Sequence, residues 1–344
     1  MDSGYVTLEQ VAEHAGVSLA TASRVINGST RQVSQRLRDR VTASAQQLGY
    51  LANASAQTLA RNSSSLVGLL VHDISDPYFS SIAAGVTRCT EEQGLVLVLG
   101  TTGRSVQKEG RVLAALRSHR AKAVILVGSR STDEESNARL AREIEAFRRQ
   151  GGRVACVSQP GLPADTVSPD NVSGAAALAR HLVGLGHRRF AILAGPSDLR
   201  TARERLDGFH GALSAAGIEL DDNNVMHGAF TRDGGYESTR RLMTLGTDAT
   251  CLFVVNDVMA TGAMAALRDL GLKVPEDLSV AGFDDIPTLR DLTPALTTVR
   301  LPLEAMGEQA AELALDVDYE GDFRVVTVPG EVVARESTAP PSVP

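Results

Sequence analysis

From residue 66 onward, short apolar runs alternate with longer amphipathic stretches, and this alternation limits the possible folds more than any other feature of the sequence. Short apolar runs are typical of buried strands, and the stretches between them have the 3.6-residue period of helices. Strands that are apolar throughout and joined by helices predict parallel, doubly wound α/β sheets. The predicted strands form two sets of four, which predicts two similar lobes; they cover residues 66–73, 95–102, 123–128, 154–158, 190–195, 225–228, 251–256 and 279–284.

Helices are predicted between most of these strands, over residues 79–93, 106–118, 138–150, 173–185, 201–216, 233–244 and 257–270. Three later elements, over 297–301, 303–317 and 323–328, are predicted to carry the chain back between the lobes. We expect a first lobe of about residues 65–160 plus 297–322, and a second of about 161–296 plus 323–338. The tail, 339–344, is rich in Pro and Ser and is expected to be disordered.

Length and composition exclude several classes of protein. The chain has 344 residues, which predicts two or three domains. No apolar run reaches the ~18 residues of a membrane span, and the start lacks the pattern of a signal peptide, so we expect a cytoplasmic protein without a membrane partner. Cys89, Cys156 and Cys251 are isolated and lack metal-ligand spacing. We therefore expect reduced core cysteines, no metal and no cofactor.

Charge is distributed unevenly along the chain. The first 64 residues contain six arginines, no lysine and four acidic residues, a net charge of +2, whereas the remaining 280 residues carry −9. A weakly basic segment on an acidic body favours local contact with DNA phosphates, while the body stays away from them.

Residues 5–50 have the pattern of three short helices. Thr7 begins the first with a capping box, T-x-x-Q, and Gly16 ends it. Ser18 and Ser34 are predicted to cap the second and third helices. A helix, a tight turn and a second helix form the helix-turn-helix motif, in which the start of the second helix enters the major groove of DNA. The alternative, an ordinary αα-corner, explains neither the polar face of the second helix nor the N-terminal position.

At these residues the sequence closely resembles the lactose/galactose repressor (LacI/GalR) family, and the resemblance continues through nearly the whole chain. It implies a DNA-binding transcriptional repressor with a helix-turn-helix domain over 1–50. A hinge helix and linker over 51–64 would follow, and then an effector-binding and dimerisation domain over 65–338. The matching segments are 6–27, 50–60, 73–79, 170–171, 185–187, 205–209, 256–257 and 282–285.

The resemblance also implies which residues contact operator DNA. Arg24 has the donor fork that pairs with guanine, whereas Leu19 and Ala20 allow only apolar contact, for instance with thymine methyls. Many family members carry polar or aromatic residues at those two positions, so we expect a different operator here. Thr21, Ser23 and Asn27 would contact phosphates, and Thr7, Leu8 and Ser18 complete the set in this domain.

The family forms its hinge helix only on operator DNA, which implies minor-groove contacts for this segment. Ala56 and Leu59 would lie in the minor groove, with Leu59 inserted into the central base step, and Asn53 would begin the helix. Alternatively, Leu59 packs on the body as an ordinary linker residue. Ala52 replaces a proline that is common in the family. Because one headpiece recognises only a half-site, we expect a homodimer on a pseudo-palindromic, double-stranded operator.

The body resembles periplasmic sugar-binding proteins, whose ligand lies between two lobes. Ligands of open α/β sheets bind beyond the carboxyl ends of the strands. By family match, hydrogen bonds to the effector would come from Arg205, Asn256 and Asp284, and apolar contacts from Phe79 and Phe230. This combination suits a sugar or a nucleoside. Asp73 and Ser158 also follow predicted strands, and Ser158 stands where many members carry an acidic residue.

Each effector residue has a plainer alternative. Asp284 could cap the following segment, Arg205 could pair with a neighbouring acid on the surface, and the two phenylalanines could be core. Three other functions compete with this interpretation. An S-x-x-K match at 105–108 is the only hint of an enzyme, and its companion motifs are absent. A transport protein conflicts with the N-terminal domain, and a regulator that answers to a protein partner remains an alternative.

Overall fold

The computed structural model of the protein describes residues 6–27, 33–50 and 64–341. Three helices form the N-terminal domain: α1 (Leu8–His14), α2 (Leu19–Ile26) and α3 (Gln35–Leu48). The predicted capping box is present, because the Thr7 N–H donates to Gln10 Oε1 at 2.8 Å and the Gln10 N–H donates to Thr7 Oγ1 at 3.3 Å. Ser18 caps α2 as predicted, whereas the side chain of Ser34 makes no capping bond at the start of α3.

The turn between α1 and α2 is held by an arginine from α3. The guanidinium of Arg40 donates to the carbonyl oxygens of Ala15 and Gly16. Gly16 has a φ of +59°, and a Cβ there would lie 2.8 Å from Arg40 Nη2. The positive φ therefore favours glycine at this turn. The three helices enclose a small aliphatic core of Val11, Ala12, Ala15, Ala22, Val41 and Ala45.

The first lobe of the body is built on a six-stranded parallel sheet of order β11-β5-β4-β3-β1-β2. Buried apolar strands at its centre explain why both faces need helices. The strands are β1 (Leu66–Val71), β2 (Val96–Thr101), β3 (Ala123–Val127), β4 (Arg153–Val157), β5 (Asp165–Pro169) and β11 (Val325–Val328). The helices are α4 (Pro77–Glu92), α5 (Val106–Ser118), α6 (Glu134–Arg148) and α11 (Leu303–Leu315).

The second lobe has a four-stranded parallel sheet of order β7-β6-β8-β9. Its strands are β6 (Phe190–Leu193), β7 (Val225–Met226), β8 (Cys251–Val254) and β9 (Ser279–Ala281). Two further strands, β10 (Thr298–Arg300) and β12 (Glu331–Val333), pair with each other in antiparallel fashion beside this lobe. The helices are α7 (Asn171–Gly184), α8 (Arg200–Ala215), α9 (Arg232–Leu245) and α10 (Asp257–Asp269), and short 3₁₀ turns cover Asp222–Asn224 and Pro287–Asp291.

The predicted fold class, a helical headpiece with two parallel α/β lobes, is confirmed, but the predicted lobe boundaries are wrong at three strands. β5 and β11 lie in the first sheet, although residues 161–170 and 323–328 were predicted in the second lobe. β10 bridges to Asp284 of the second lobe through Arg300, and the preceding Thr297 bridges to Ala281, although this segment was predicted in the first lobe. The physical reason is that an apolar pattern identifies a strand without identifying its sheet.

The start of the C-terminal tail is ordered, contrary to the prediction of disorder from residue 339. The Ala339 carbonyl oxygen lies 2.9 Å from His187 Nε2, and the Ala339 N–H donates to Ser279 Oγ at 3.2 Å. Residues 342–344 lie outside the described residues. Within the described ranges, no helix combines the length and apolarity needed to cross a bilayer.

Candidate functional site

A small cavity lies where the carboxyl ends of the strands of both lobes face each other. This is the position at which parallel α/β sheets bind ligands. The first lobe contributes aromatic and charged side chains from the end of β1, the start of α4 and the loop after β2. The second lobe contributes residues after β8 and β9 and from α8. The lining residues are His72, Asp76, Tyr78, Phe79, Arg104, Gly128, Ser129, Thr201, Arg205, Phe230, Asn256 and Asp284.

The first-lobe wall is aromatic. Asp76 caps α4 by accepting from the Tyr78 N–H at 2.9 Å, and Pro77 occupies the first helical position. This cap turns Tyr78 and Phe79 toward the cavity, and their rings pack edge to face with centroids 5.1 Å apart. The His72 ring lies 5.6 Å from that of Phe79. The wall therefore offers flat apolar surface beside a few polar atoms.

The second-lobe wall is organised by one buried arginine. Arg205 donates to Asn171 Oδ1 at 2.8 Å, to the Val255 carbonyl at 2.7 Å and to Asp284 Oδ1 at 2.7 Å. Arg205 is 2% exposed and Asp284 4%. The alternative prediction, that Arg205 pairs with a neighbouring acidic residue on the surface, is therefore wrong. The guanidinium also lies 3.9 Å from the centroid of the Phe283 ring, so one face is covered, while these hydrogen bonds use three of its five N–H donors.

Electrostatics in the cavity follow from burial. Burial raises the pKa of Asp284 to about 6, although the guanidinium of Arg205 opposes the rise. Burial also raises the pKa of Asp76, with the Tyr78 N–H acting against it. Burial lowers the pKa of His72, despite its contact with Glu109. The imidazole is therefore neutral at pH 7 and can act as both donor and acceptor.

The two lobes are joined directly at one side of the cavity by residues 129–132 and 198–201 together with Gln159, which we call the interlobe bridge. Gln159 Nε2 donates to Thr201 Oγ1 at 2.8 Å and to Glu204 Oε2 at 3.0 Å. Backbone bonds add to it, because the Thr132 N–H donates to the Asp198 carbonyl at 2.8 Å. Glu204 Oε2 also accepts from Asn171 Nδ2, so the bridge is linked to Arg205 through one amide side chain.

This bridge holds the lobes close together. The cavity volume is about 40 Å³. That volume suffices for a few water molecules, whereas small-molecule sites usually span about 300–1,000 Å³. The cavity in this arrangement of the lobes is therefore smaller than a typical small-molecule site.

The structure brings together most of the effector residues predicted from the sequence. Phe79, Arg205, Phe230, Asn256 and Asp284 all line the cavity. Phe79 and Phe230 are also buried, so the core alternative describes part of their role. Asn256 has a structural role as well, because its Oδ1 caps α10 by accepting from the Met259 N–H at 3.1 Å.

Two predicted effector residues do not reach the cavity. Asp73 is exposed, and its carboxylate accepts from the backbone and hydroxyl of Ser75 at 2.9 and 2.7 Å. Ser158 is buried behind the wall and donates to the Gln159 carbonyl at 3.0 Å. Both follow strands as predicted, but the turn after each strand directs the side chain elsewhere.

Several cavity residues were missed by sequence reasoning. Arg104 follows β2 with a φ of +62°, donates to the Phe230 carbonyl at 3.2 Å and places its guanidinium 5.7 Å from the Phe230 ring centroid. It therefore crosses from one lobe to the other. Its position after a strand, beside Gly103, was the signal available. Asp76, Tyr78 and Thr201 were also missed, although the first two lie in the segment that carries the family resemblance.

The second helix of the headpiece presents polar side chains together with two exposed apolar residues, Leu19 and Ala20. Ser18, Ala20 and Arg24 are exposed together with Leu19, which is 45% exposed, while Ala22 is buried on the opposite side. Ser23 Oγ accepts from Asn27 Nδ2 at 3.0 Å and Ser18 Oγ lies 2.8 Å from Thr21 Oγ1, which fixes these side chains along the helix. Thr7 is exposed at the start of α1, and Leu8 is half-buried. The predicted hinge residues Asn53, Ala56 and Leu59 lie outside the described residues.

Two family models match this chain: bacterial regulatory proteins of the lacI family over residues 7–53, and the periplasmic binding protein-like domain over 179–338. The transcriptional regulator GalR of Escherichia coli (strain K12) is 33% identical over 341 residues, which cover 98% of this chain and 97% of that protein. A solved complex of the regulator CelR with cellobiose is 32% identical, with a TM-score of 0.70 over 97% of this chain and 100% of that one.

A crystal structure of the Lac repressor dimer bound to operator and the anti-inducer ONPF is 27% identical, with a TM-score of 0.83 over 98% of this chain and 100% of that one. The similarity thus spans the headpiece and both lobes at once, as the sequence resemblance implied. This chain belongs to the lacI family of bacterial regulatory proteins and is a helix-turn-helix, DNA-binding transcriptional regulator.

Proposed function

We propose that this chain acts as a homodimeric repressor whose affinity for a pseudo-palindromic operator changes when a small ligand binds between its lobes. One observation carries the proposal: the cavity is lined by residues of both lobes, with Phe79 from the first and Arg205, Asn256 and Asp284 from the second. A ligand that contacts both lobes binds one lobe arrangement better than another and therefore shifts the equilibrium between them.

The chemistry of the cavity favours a sugar or a nucleoside. The rings of Tyr78, Phe79 and Phe230 suit the apolar face of a sugar or a base. Buried polar atoms of Arg205 and Asp284 can exchange hydrogen bonds with hydroxyl groups. The cellobiose held by the CelR relative supports the same ligand class. We propose no catalytic step, metal or cofactor for the chain, and a cytoplasmic location.

For DNA recognition we propose that α2 enters the major groove, with Arg24, Leu19 and Ala20 toward base edges. Thr21, Ser23 and Asn27, with Thr7, Leu8 and Ser18, would hold the phosphates. The exposure of Leu19, Ala20 and Arg24 on α2 supports this, because all three side chains are accessible to a DNA groove. Asn53, Ala56 and Leu59 are proposed to enter the minor groove.

The test has two stages. Selection from random double-stranded DNA should yield a pseudo-palindrome, and light scattering of the free protein should show twice the mass of one chain. Calorimetry with a panel of monosaccharides, disaccharides and nucleosides should then find a ligand that alters operator affinity. A panel without any binder, together with intact operator binding, would instead favour control by a protein partner.

A further inference from the structure

A second and much larger cavity lies beside the ligand cavity. Its volume is about 1240 Å³. Its walls are the facing sides of α5 and α6 in the first lobe, and residues Pro196, Asp198 and Leu199 of the second lobe close one end. We call it the outer cavity. Three residues line both spaces and separate them: His72, Arg104 and Ser129.

Buried charges form the floor of the outer cavity. Arg130 and Glu109 are each 4% exposed, and Arg130 Nη1 lies 3.5 Å from Glu109 Oε2. His72 Nε2 lies 3.6 Å from the other carboxylate oxygen. Burial acts to raise the pKa of Glu109, but His72 and Arg130 more than offset this, and its pKa is lowered. The floor therefore holds an ionised pair at pH 7.

That pair leaves hydrogen-bonding capacity unused. The Nε and Nη2 of Arg130 donate to the Gly128 carbonyl at 3.3 and 3.1 Å. Within the described part of the chain, Nη1 makes only the 3.5 Å contact with Glu109. A ligand oxygen in the outer cavity can accept from Nη1.

The walls of the outer cavity carry more positively charged than negatively charged side chains. Six arginines line the outer cavity against four acidic residues. Arg117 lies 3.9 Å from Glu143, but across residues 6–27, 33–50 and 64–341 neither Arg111 nor Arg142 has an acidic partner within 4.0 Å. The chain as a whole has a net charge of −7, so a positive cavity is a local exception. A concave surface of one sign concentrates ions of the opposite sign.

We infer that the outer cavity binds a phosphate-bearing small molecule at a site separate from the ligand cavity. Arginine forks match the oxygens of a phosphate and donate charge-assisted hydrogen bonds to them. Arg111 lines the outer cavity from α5, Arg142 lines it from α6, and Arg130 lies on its floor. The cavity is large enough for a sugar phosphate or a nucleotide. Because residues of the interlobe bridge line it, its occupant also contacts both lobes.

Calorimetry at an ionic strength of about 0.15 M tests the inference, with ribose 5-phosphate as the probe and inorganic phosphate as competitor. The variant is Arg111→Ala/Arg142→Ala, at exposed positions of α5 and α6. The matched control is Arg180→Ala/Arg241→Ala, which removes the same charge from exposed helices of the second lobe. Melting temperatures of all three proteins should agree.

We expect ribose 5-phosphate to bind the unaltered protein, and excess inorganic phosphate to displace it. The Arg111 and Arg142 substitutions should weaken that binding about tenfold or more, and the control about twofold or less. Equal weakening by both double variants would show diffuse attraction to net charge and overturn the site. So would the absence of binding, or failure of inorganic phosphate to compete.

Discussion

The pair formed by Arg205 and Asp284 gives a quantitative prediction for stability. The two side chains meet at 2.7 Å with almost no solvent access. Removing one partner of a buried, hydrogen-bonded ion pair leaves the other charge uncompensated and typically costs about 3–5 kcal/mol. Arg205→Ala and Asp284→Ala should each therefore lower stability by about that amount. A domain of this size loses about 2–4 °C per kcal/mol, so each Tm should fall by about 6–20 °C.

The double variant Arg205→Ala/Asp284→Ala tests whether the two side chains stabilise the protein as a pair. With both charges removed, no uncompensated charge remains, so the double variant should lose clearly less than the sum of the two single losses. Thermal unfolding followed by circular dichroism is the assay. Arg149→Ala is the control, because its contact with Glu145 is exposed and 3.9 Å long, and its Tm should not change measurably. Additive losses within about 0.5 kcal/mol would refute the coupling.

Three further predictions concern other parts of the chain. Arg24→Ala should remove about 1–3 kcal/mol of discrimination between operator and random DNA, measured by fluorescence anisotropy. An unchanged ratio of the two affinities would contradict the proposed base contact of Arg24. Gln159→Ala deletes the two hydrogen bonds that Gln159 makes to the second lobe, so small-angle scattering should show a larger radius of gyration. An identical profile would mean that backbone bonds alone hold the lobes. Burial raises the pKa of Asp257 to about 8, so the folded protein retains a proton that the unfolded chain releases near pH 4. The contribution of Asp257 to stability is therefore full at low pH and declines between about pH 4 and 8. Asp257→Asn should flatten the dependence of Tm on pH over this range. An unaltered slope would contradict the raised pKa of Asp257.

The sequence predicted most elements because their signals are local. Helix starts carry capping residues such as Thr7, Ser18 and Asp170, which satisfy orphan N–H groups wherever the helix lies. β5 was missed, because its Asp, Ser and Pro are poor strand formers. Its place between β4 and β11 supplies the stability that its composition does not indicate. The sheet to which β10 and β11 belong depends on contacts far apart in the chain.

Residues of the candidate site could be predicted from the sequence where their position depends only on the end of a strand. Asn256 and Asp284 follow strands of one parallel sheet, so their convergence follows from topology. Arg104 and Gln159 reach the other lobe through long side chains, and their direction depends on turns that the pattern does not specify. Asp73 also follows a strand, but its carboxylate accepts a hydrogen bond from Ser75 and does not line the cavity.

The most direct test of the account is the operator affinity of three proteins, each measured with and without the small ligand that calorimetry identifies. In the unaltered protein the ligand should change operator affinity by about fivefold or more. Asp284→Asn keeps the shape of the side chain but removes the charge from the cavity wall, so its response should be lost or shifted to much higher ligand concentrations. Asp73→Asn is the matched control, because Asp73 lies outside the cavity, and it should respond as the unaltered protein does. A full response of Asp284→Asn at the same ligand concentrations would contradict the claim that a ligand between the lobes controls DNA binding.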